Sequence, residues 1–414
     1  MAAPALCPHR FEDVVKIVIA PDSFKESLGA AAVAQAIAQG VREVLPHADI
    51  VCLPMADGGE GTVDAVLAAT AGERRCSMVQ DALGGPVQAS WGWLPPATAV
   101  IEMAAAAGLE LIAPQRRDVL RASSHGVGEL ILAALDAGAR RIILGLGGSA
   151  TNDGGAGMLT ALGARLRDAS GALLAPGGAA LADLASIDLS GMDPRLARTR
   201  LDLASDVNSP LCGANGASAV FGPQKGATGK DVSTLDAALA RYASVAAQTI
   251  GRDLSQAAGA GAAGGLGFAA LAFLQGRFRP GVEVVAELGG LAQALDGAAL
   301  LFTGEGRMDA QTLHGKTPAG VARIAQAANV PVVALAGALG AGYEGLAAAG
   351  ITAAFSIVPG PMALEDAVHQ TADLLRARAR EVMRLYAAFS RPVPRCAGAT
   401  APPAPPPSGH PQAG

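Results

Sequence analysis

The chain lacks most of what would mark a binding or redox protein. Its five cysteines, Cys7, Cys52, Cys76, Cys212 and Cys396, are scattered and form no C-x-x-C pair. That excludes a thiol-clustered zinc site and a disulfide framework, and free thiols in a reducing cytoplasm fit best. Six histidines show no H-x-x-x-H spacing for a metal. The formal net charge is −5, which supplies no electrostatic footprint for nucleic acid. Charged residues are only 16% and aromatic residues 3% of the 414 positions. No signal peptide is evident, because Val14–Ala20 is broken by Lys16 and runs straight into a polar motif. The uncharged run Ala257–Leu274 has membrane-spanning length, but it is mostly Ala and Gly. It reads as a glycine loop followed by a buried helix.

What is present is Ala, Gly, Val and Leu: 51% hydrophobic content with 53 glycines. Small residues let helices lie close to a parallel sheet, so an α/β protein is expected. Val14–Ala20 is a continuous β-branched run of the kind buried on both faces. The helix Ala30–Leu45, the strand Asp49–Met55 and a further helix through Ala71 make two strand–loop–helix units. They imply parallel strands with right-handed crossovers. The rhythm breaks near Arg75, and Met78–Met103 suggests antiparallel or mixed pairing. Further strands are expected at Arg141–Leu146, Leu201–Val207, Ala298–Phe302, Pro331–Ala336 and Ala353–Val358. One last amphipathic helix is expected over Leu364–Phe389. The simple alternation therefore occupies both ends of the chain. Residues 14–76 plus 285–390 are expected to form one discontinuous α/β domain, with 77–284 inserted as a second. Residues 1–13 read as a loose extension, and the proline-rich 391–414 as a disordered tail.

Against so little charge, three dense loops stand out. Loops at the carboxyl ends of strands are where α/β proteins bind ligands. After the first strand comes PDSFKESL, Pro21–Leu28, in which Ser23 can hydrogen-bond a small substrate and Lys25 can meet phosphate or carboxylate oxygens. After the second comes ADGGEGT, Ala56–Thr62, whose Asp57 and Glu60 can offer hard oxygens to Mg²⁺. In both, the plainer alternative is helix capping or turn closure. After Ala298–Phe302 comes a loop with Glu305, Arg307, Asp309, Gln311 and Lys316. A helix then starts at Thr317-Pro318, with Thr317 as N-cap.

The stretch RIILGLGGSATNDGGAGM has the pattern of a phosphate cradle. Its Gly147, Gly148, Ser149, Asn152, Gly154 and Gly155 would expose backbone N–H groups to an anion, with Asp153 adding a carboxylate. It is not a Walker A loop. It contains a G-x-G-x-x-A match, and Asp168 lies where a dinucleotide fold puts its ribose acid. Yet Asp168 falls in an apparent hairpin around Ser170-Gly171, and glycine matches arise cheaply here. Lys225, in FGPQKGAT, is either a phosphate contact or a solvated turn. His314 reads as a surface or supporting residue.

APDSFKESL, PMADGGEGT, IEMAAAAGL, GLGGSATNDGGAGM, FGPQKGA, AGAAGGLG and TGEGRMDAQTLHGKTPAGVA, in this order, resemble the bacterial glycerate kinases of the 2-kinase type. The resemblance runs from about Lys16 to Phe389. It implies a flavodoxin-like parallel-sheet domain with a second mixed-sheet α/β domain inserted and the active site between them. It also implies transfer of the ATP γ-phosphoryl group to D-glycerate, with 2-phosphoglycerate as the usual product. One departure is Ser209, where the family commonly has an amide side chain. On this reading Asp57, with Glu60, takes Mg²⁺. Lys25, Arg307 and Lys316 hold the glycerate carboxylate or the phosphates. Asp309 and Asp153 are the candidates to accept the hydroxyl proton, Asp309 the favoured one because Arg307 and Lys316 would keep it ionised. The alternatives are an NAD-dependent dehydrogenase of a small hydroxy acid and a non-catalytic two-domain binding protein. No nucleic acid or membrane partner is expected, and a homodimer stays open.

Overall fold

The computed structural model describes residues 14–314 and 316–389. The expectations for 1–13 and 391–414 lie outside these residues. Thirteen strands are present among them: β1 Lys16–Ile19, β2 Asp49–Cys52, β3 Glu73–Gln80, β4 Pro86–Leu94, β5 Thr98–Glu102, β6 Arg141–Gly145, β7 Arg165–Arg167, β8 Ser186–Asp188, β9 Arg200–Ala204, β10 Arg277–Arg279, β11 Ala298–Met308, β12 Val332–Leu339 and β13 Ala353–Ser356.

The first sheet has the order β13-β12-β11-β1-β2, and every neighbouring pair is parallel. Counted within the sheet, that is the 2-1-3-4-5 order of the flavodoxin-like doubly wound fold. The strand order reverses between β1 and β11, which is where such folds open a crevice at their carboxyl edge. The second sheet, β10-β9-β6-β5-β4-β3, is parallel over its first four strands and antiparallel at β4 and β3. The turn at Leu83–Gly85 between β3 and β4 accounts for the broken rhythm. A boundary at residue 76 would cut β3, which pairs with β4 from Glu73 onward.

The two sheets share apolar packing. Val18, Leu301, Val332 and Ala334 of the first belong to one core with Leu94, Val100, Ile143 and Ala204 of the second. The helices Thr62–Ala69 and Gly281–Gly289 lie between them, contributing Val63, Val66, Val282 and Val285 to that core. Buried apolar surface on both faces is what a parallel sheet demands.

Three local expectations are corrected. β11 does not stop at Phe302 but continues to Met308, because β12 extends alongside it to Leu339. The helix that follows, Thr317–Ala327, has Lys316 at its N-cap; Thr317 is its first helical residue, and its hydroxyl goes elsewhere. The last helix is two, Leu364–His369 and Thr371–Phe389, parted at Gln370. The Ala257–Leu274 run is bent by left-handed backbone at Ala263, Gly264 and Gly265 before a regular buried turn of helix. Among the described residues no helix is long and apolar enough to cross a membrane.

Candidate active site

The switch point between β1 and β11 gathers three loops. After β1 the chain stays against β11: the Ala20 N–H donates to the Phe302 carbonyl at 2.7 Å and the Asp22 N–H to Gly304 at 2.8 Å. On the other side Met55 N–H donates to the Pro21 carbonyl at 2.8 Å, which ties in the loop after β2. Asp22 is thereby held inside the crevice, not at a helix cap; the following helix starts after Gly29 without any side-chain cap. The Thr317 hydroxyl donates to Asp22 Oδ2, and the Ser23 N–H to Oδ1 at 2.6 Å.

Burial pushes the Asp22 carboxyl up from 3.8 to about 6, and the Asp57 charge adds to the rise. Asp206, just past the end of β9 on the second sheet, is also pushed up to about 6 by burial and by Asp57. Glu305 is raised by burial, and Asp22 opposes its ionisation further. Its Oε1 accepts from the Thr312 hydroxyl at 2.7 Å, and its Oε2 lies 3.6 Å from Lys316 Nζ. Three raised carboxyls, Asp22, Asp206 and Glu305, thus come from both sheets, with Asp57 acting on the first two and Asp22 on the third. Such raised acids are typical of sites that bind a cation or move a proton.

Two cations are exposed on these loops. Lys25 is exposed in a tight turn in which Phe24 N–H donates to the Leu28 carbonyl at 2.8 Å. Its charge bears on Asp22. Arg307 is exposed at the end of β11, and among the described residues only its Nε is engaged, 3.1 Å from Asp309 Oδ2. The rest of its guanidinium fork is open to a carboxylate.

The second sheet meets these loops edge to edge. A Cβ on Gly147 would stand 2.6 Å from Gly59 Cα, and one on Gly281 would overlap the Asp57 carbonyl at 1.9 Å. Only backbone without side chains can pass so closely. The glycine loop therefore contributes Gly147 and the exposed Gly148 to the crevice, with Ser149 just beneath.

The remainder of that loop faces inward, contrary to a phosphate cradle. Asn152, Asp153, Gly154 and Gly155 are all buried. A Cβ on Gly154 would stand 2.8 Å from the Tyr242 ring, and one on Gly155 2.6 Å from Ala269 Cβ. These glycines admit close helix packing, not a ligand. Asp153 is fully enclosed: Oδ2 accepts from the Ser124 N–H at 2.8 Å, its hydroxyl at 2.9 Å and the Gly157 N–H at 3.1 Å, while Oδ1 accepts from Gly155 at 3.1 Å. With both oxygens so occupied it orders the loop and has no path to a substrate hydroxyl. Lys225 is not in a solvated turn. It is buried, with Nζ donating to Ser149 Oγ at 2.8 Å and to the Thr151 carbonyl at 2.6 Å. Burial pushes its pKa down to about 7, with the Asp153 charge opposing. Asn152 donates to Ser218 Oγ at 2.9 Å.

Asp309 is kept ionised, as expected, by the Gln311 N–H first, with Arg307 and Lys316 contributing. Its Oδ1 accepts the Gln311 N–H at 2.9 Å, and its Oδ2 faces Arg307. Those contacts, the Gln311 N–H first, hold its carboxyl below the ordinary value. It closes the turn Ala310–His314, a local role. Glu60 is exposed at the start of Thr62–Ala69, on the side of Glu102. Asp168 Oδ1 accepts the Ser170 N–H at 2.8 Å and the Ala172 N–H at 3.0 Å, so it closes its own turn rather than facing a ribose. The Ser209 carbonyl accepts the Gly261 N–H at 2.9 Å. Sequence reasoning passed over Asp22 and Asp206. The available signal was position, since each lies within a few residues of a strand's carboxyl end.

The model of the Glycerate kinase family matches residues 17–387. A glycerate kinase of Bacillus subtilis (strain 168) is 50% identical over 369 residues, covering 89% of this chain and 97% of that protein. A glycerate 2-kinase of Escherichia coli (strain K12) is 48% identical over 369 residues, with coverage of 89% and 97%. Among solved structures, a chain from Salmonella typhimurium LT2 assigned as a glycerate kinase 2 superposes with a TM-score of 0.83 at 51% identity, over 91% of this chain and 99% of that one.

Proposed function

The chain belongs to the glycerate kinase family, and from that premise we propose that it phosphorylates D-glycerate with ATP and Mg²⁺ to give 2-phosphoglycerate. The observation that carries this reading is the crevice itself. Carboxylates from both sheets, Asp22, Asp57 and Asp206, come together at the switch point with Lys25 acting on Asp22, and Arg307 stands exposed at the end of the neighbouring β11.

The acids suit Mg²⁺ better than a metal that prefers a full protein cage. Among the described residues no three His, Cys, Asp or Glu side chains stand close enough to hold an ion alone. Mg²⁺ is normally held by one or two carboxylates, with phosphate oxygens and water completing an octahedron. Asp57, whose charge bears on both Asp22 and Asp206, is the central ligand, with Asp206 as its partner in place of the exposed Glu60. Bound there, Mg²⁺ would neutralise phosphate charge in the transition state.

Such catalysis is mainly positioning and charge neutralisation. Arg307 takes the glycerate carboxylate in a bidentate contact, and Lys25 and Lys316 steady the phosphoryl oxygens. Asp22 accepts the proton of the attacking hydroxyl as it closes on the γ-phosphorus. Its Oδ2 is aimed by Thr317 and its Oδ1 by Ser23, and a pKa near 6 matches a base working at neutral pH. Asp309 is left to hold Arg307. The free thiols of Cys52, Cys76 and Cys212 fit a cytoplasmic setting. The test is the phosphorus NMR spectrum of the product formed from D-glycerate and ATP. A 2-phosphoglycerate resonance that requires Mg²⁺ is expected. Formation of NADH from NAD with glycerate, and no ADP from ATP, would replace the reading with a dehydrogenase.

A further inference from the structure

A kinase needs a place for its nucleotide, and the glycine loop, buried from Asn152 to Gly155, does not offer one. We propose that the base and ribose of the nucleotide occupy a cavity of about 690 Å³ in the second sheet's own layer, bounded by Leu83, Arg116, Arg121, Ser123 and Leu174. The proposal rests on the kinase reading above.

Three features of the cavity support it. Its volume lies within the range usual for ligand pockets. It opens at the turn joining β3 and β4, and β3 ends at the same carboxyl edge as β5 and β6, the strands that lead toward the crevice. Its chemistry is two-sided: Leu83, Leu166, Leu174 and Leu181 give an apolar wall for a flat base, and Arg116 and Arg121 are exposed beside it. Asp118 also lines the cavity, but among the described residues no ion pair joins it to either guanidinium, so both are available to phosphate oxygens. The Ser123 hydroxyl accepts from the His125 N–H at 3.3 Å and keeps its own proton free to donate. A second cavity, of about 610 Å³ near Cys212 and Asp253, has no Lys or Arg in its lining to offset its acid, so it is unsuited to a polyanion.

The test is calorimetric titration of ATP into the whole protein and into two variants, with glycerate binding and turnover measured beside it. The double variant Arg116→Ala/Arg121→Ala removes only exposed side chains. Ala175→Trp plugs the cavity from an exposed rim position. Both should weaken ATP binding by at least about tenfold, since charge-assisted contacts of this kind are each worth that much. Glycerate affinity should be unchanged. Unaltered ATP affinity in both variants would overturn the nucleotide site even if the parent makes 2-phosphoglycerate. Weakened ATP binding in a parent that never phosphorylates glycerate would support the site and sink the proposed reaction instead.

Discussion

Asp22→Asn separates the crevice reading from every structural explanation of the same residue. Raising a carboxyl from 3.8 to about 6 corresponds to about 3 kcal/mol against its ionised form in the folded state. The sign follows from proton uptake. Between pH 3.8 and about 6 the folded chain binds a proton that the unfolded chain has released, so this group lowers stability as pH rises, and the full penalty persists above 6. Asparagine keeps the shape and removes the charge, and the Thr317 hydroxyl can reverse to accept from its amide. At pH 8 the variant should therefore be more stable than the parent, with a melting temperature higher by several degrees. At pH 4 the two should nearly coincide. Activity should move the other way. Removing the proton acceptor should lower kcat by about 100-fold or more. The fall of kcat/KM below about pH 6 in the parent should flatten in the variant. The assays are calorimetric melting at the two pH values and a coupled ADP assay across pH 5 to 9. A variant that turns over within about fivefold of the parent, or that melts lower at pH 8, refutes the assignment.

Three further predictions test neighbouring placements. Asp309→Asn should lower kcat by less than about tenfold while raising the KM for glycerate, because it loosens Arg307 rather than removing the base; steady-state kinetics with each substrate varied decide it. Arg307→Ala should raise the KM for glycerate by about tenfold or more and leave the KM for ATP alone. Gly155→Ala should destabilise the fold by about 3 kcal/mol in urea titration, because φ there is +75° and the added Cβ would stand 2.6 Å from Ala269. Its folded fraction should retain normal ATP affinity, whereas a phosphate-cradle role would require that affinity to fall.

The α/β class, the parallel first sheet and the return of the chain to it after a long excursion were legible in the sequence. They rest on local pattern: continuous β-branched runs, helices between them, and a change of rhythm at Arg75. The charged residues of the β1, β2 and β11 loops were legible for the same reason, since acids and bases stand out in a chain that is only 16% charged. The inward or outward facing of each residue was not. Glycines are equally suited to wrapping an anion and to letting two helices touch, and only the approach of Tyr242 and Ala269, distant in sequence, distinguishes the two at Gly154 and Gly155. Asp153 and Lys225 read as chemistry because charge is rare, yet tertiary burial turns them into the polar frame of the loop. Asp22 and Asp206 were passed over because their exceptional property is mutual. Each is raised toward 6 by burial and by Asp57, and that environment exists only once two sheets meet edge to edge.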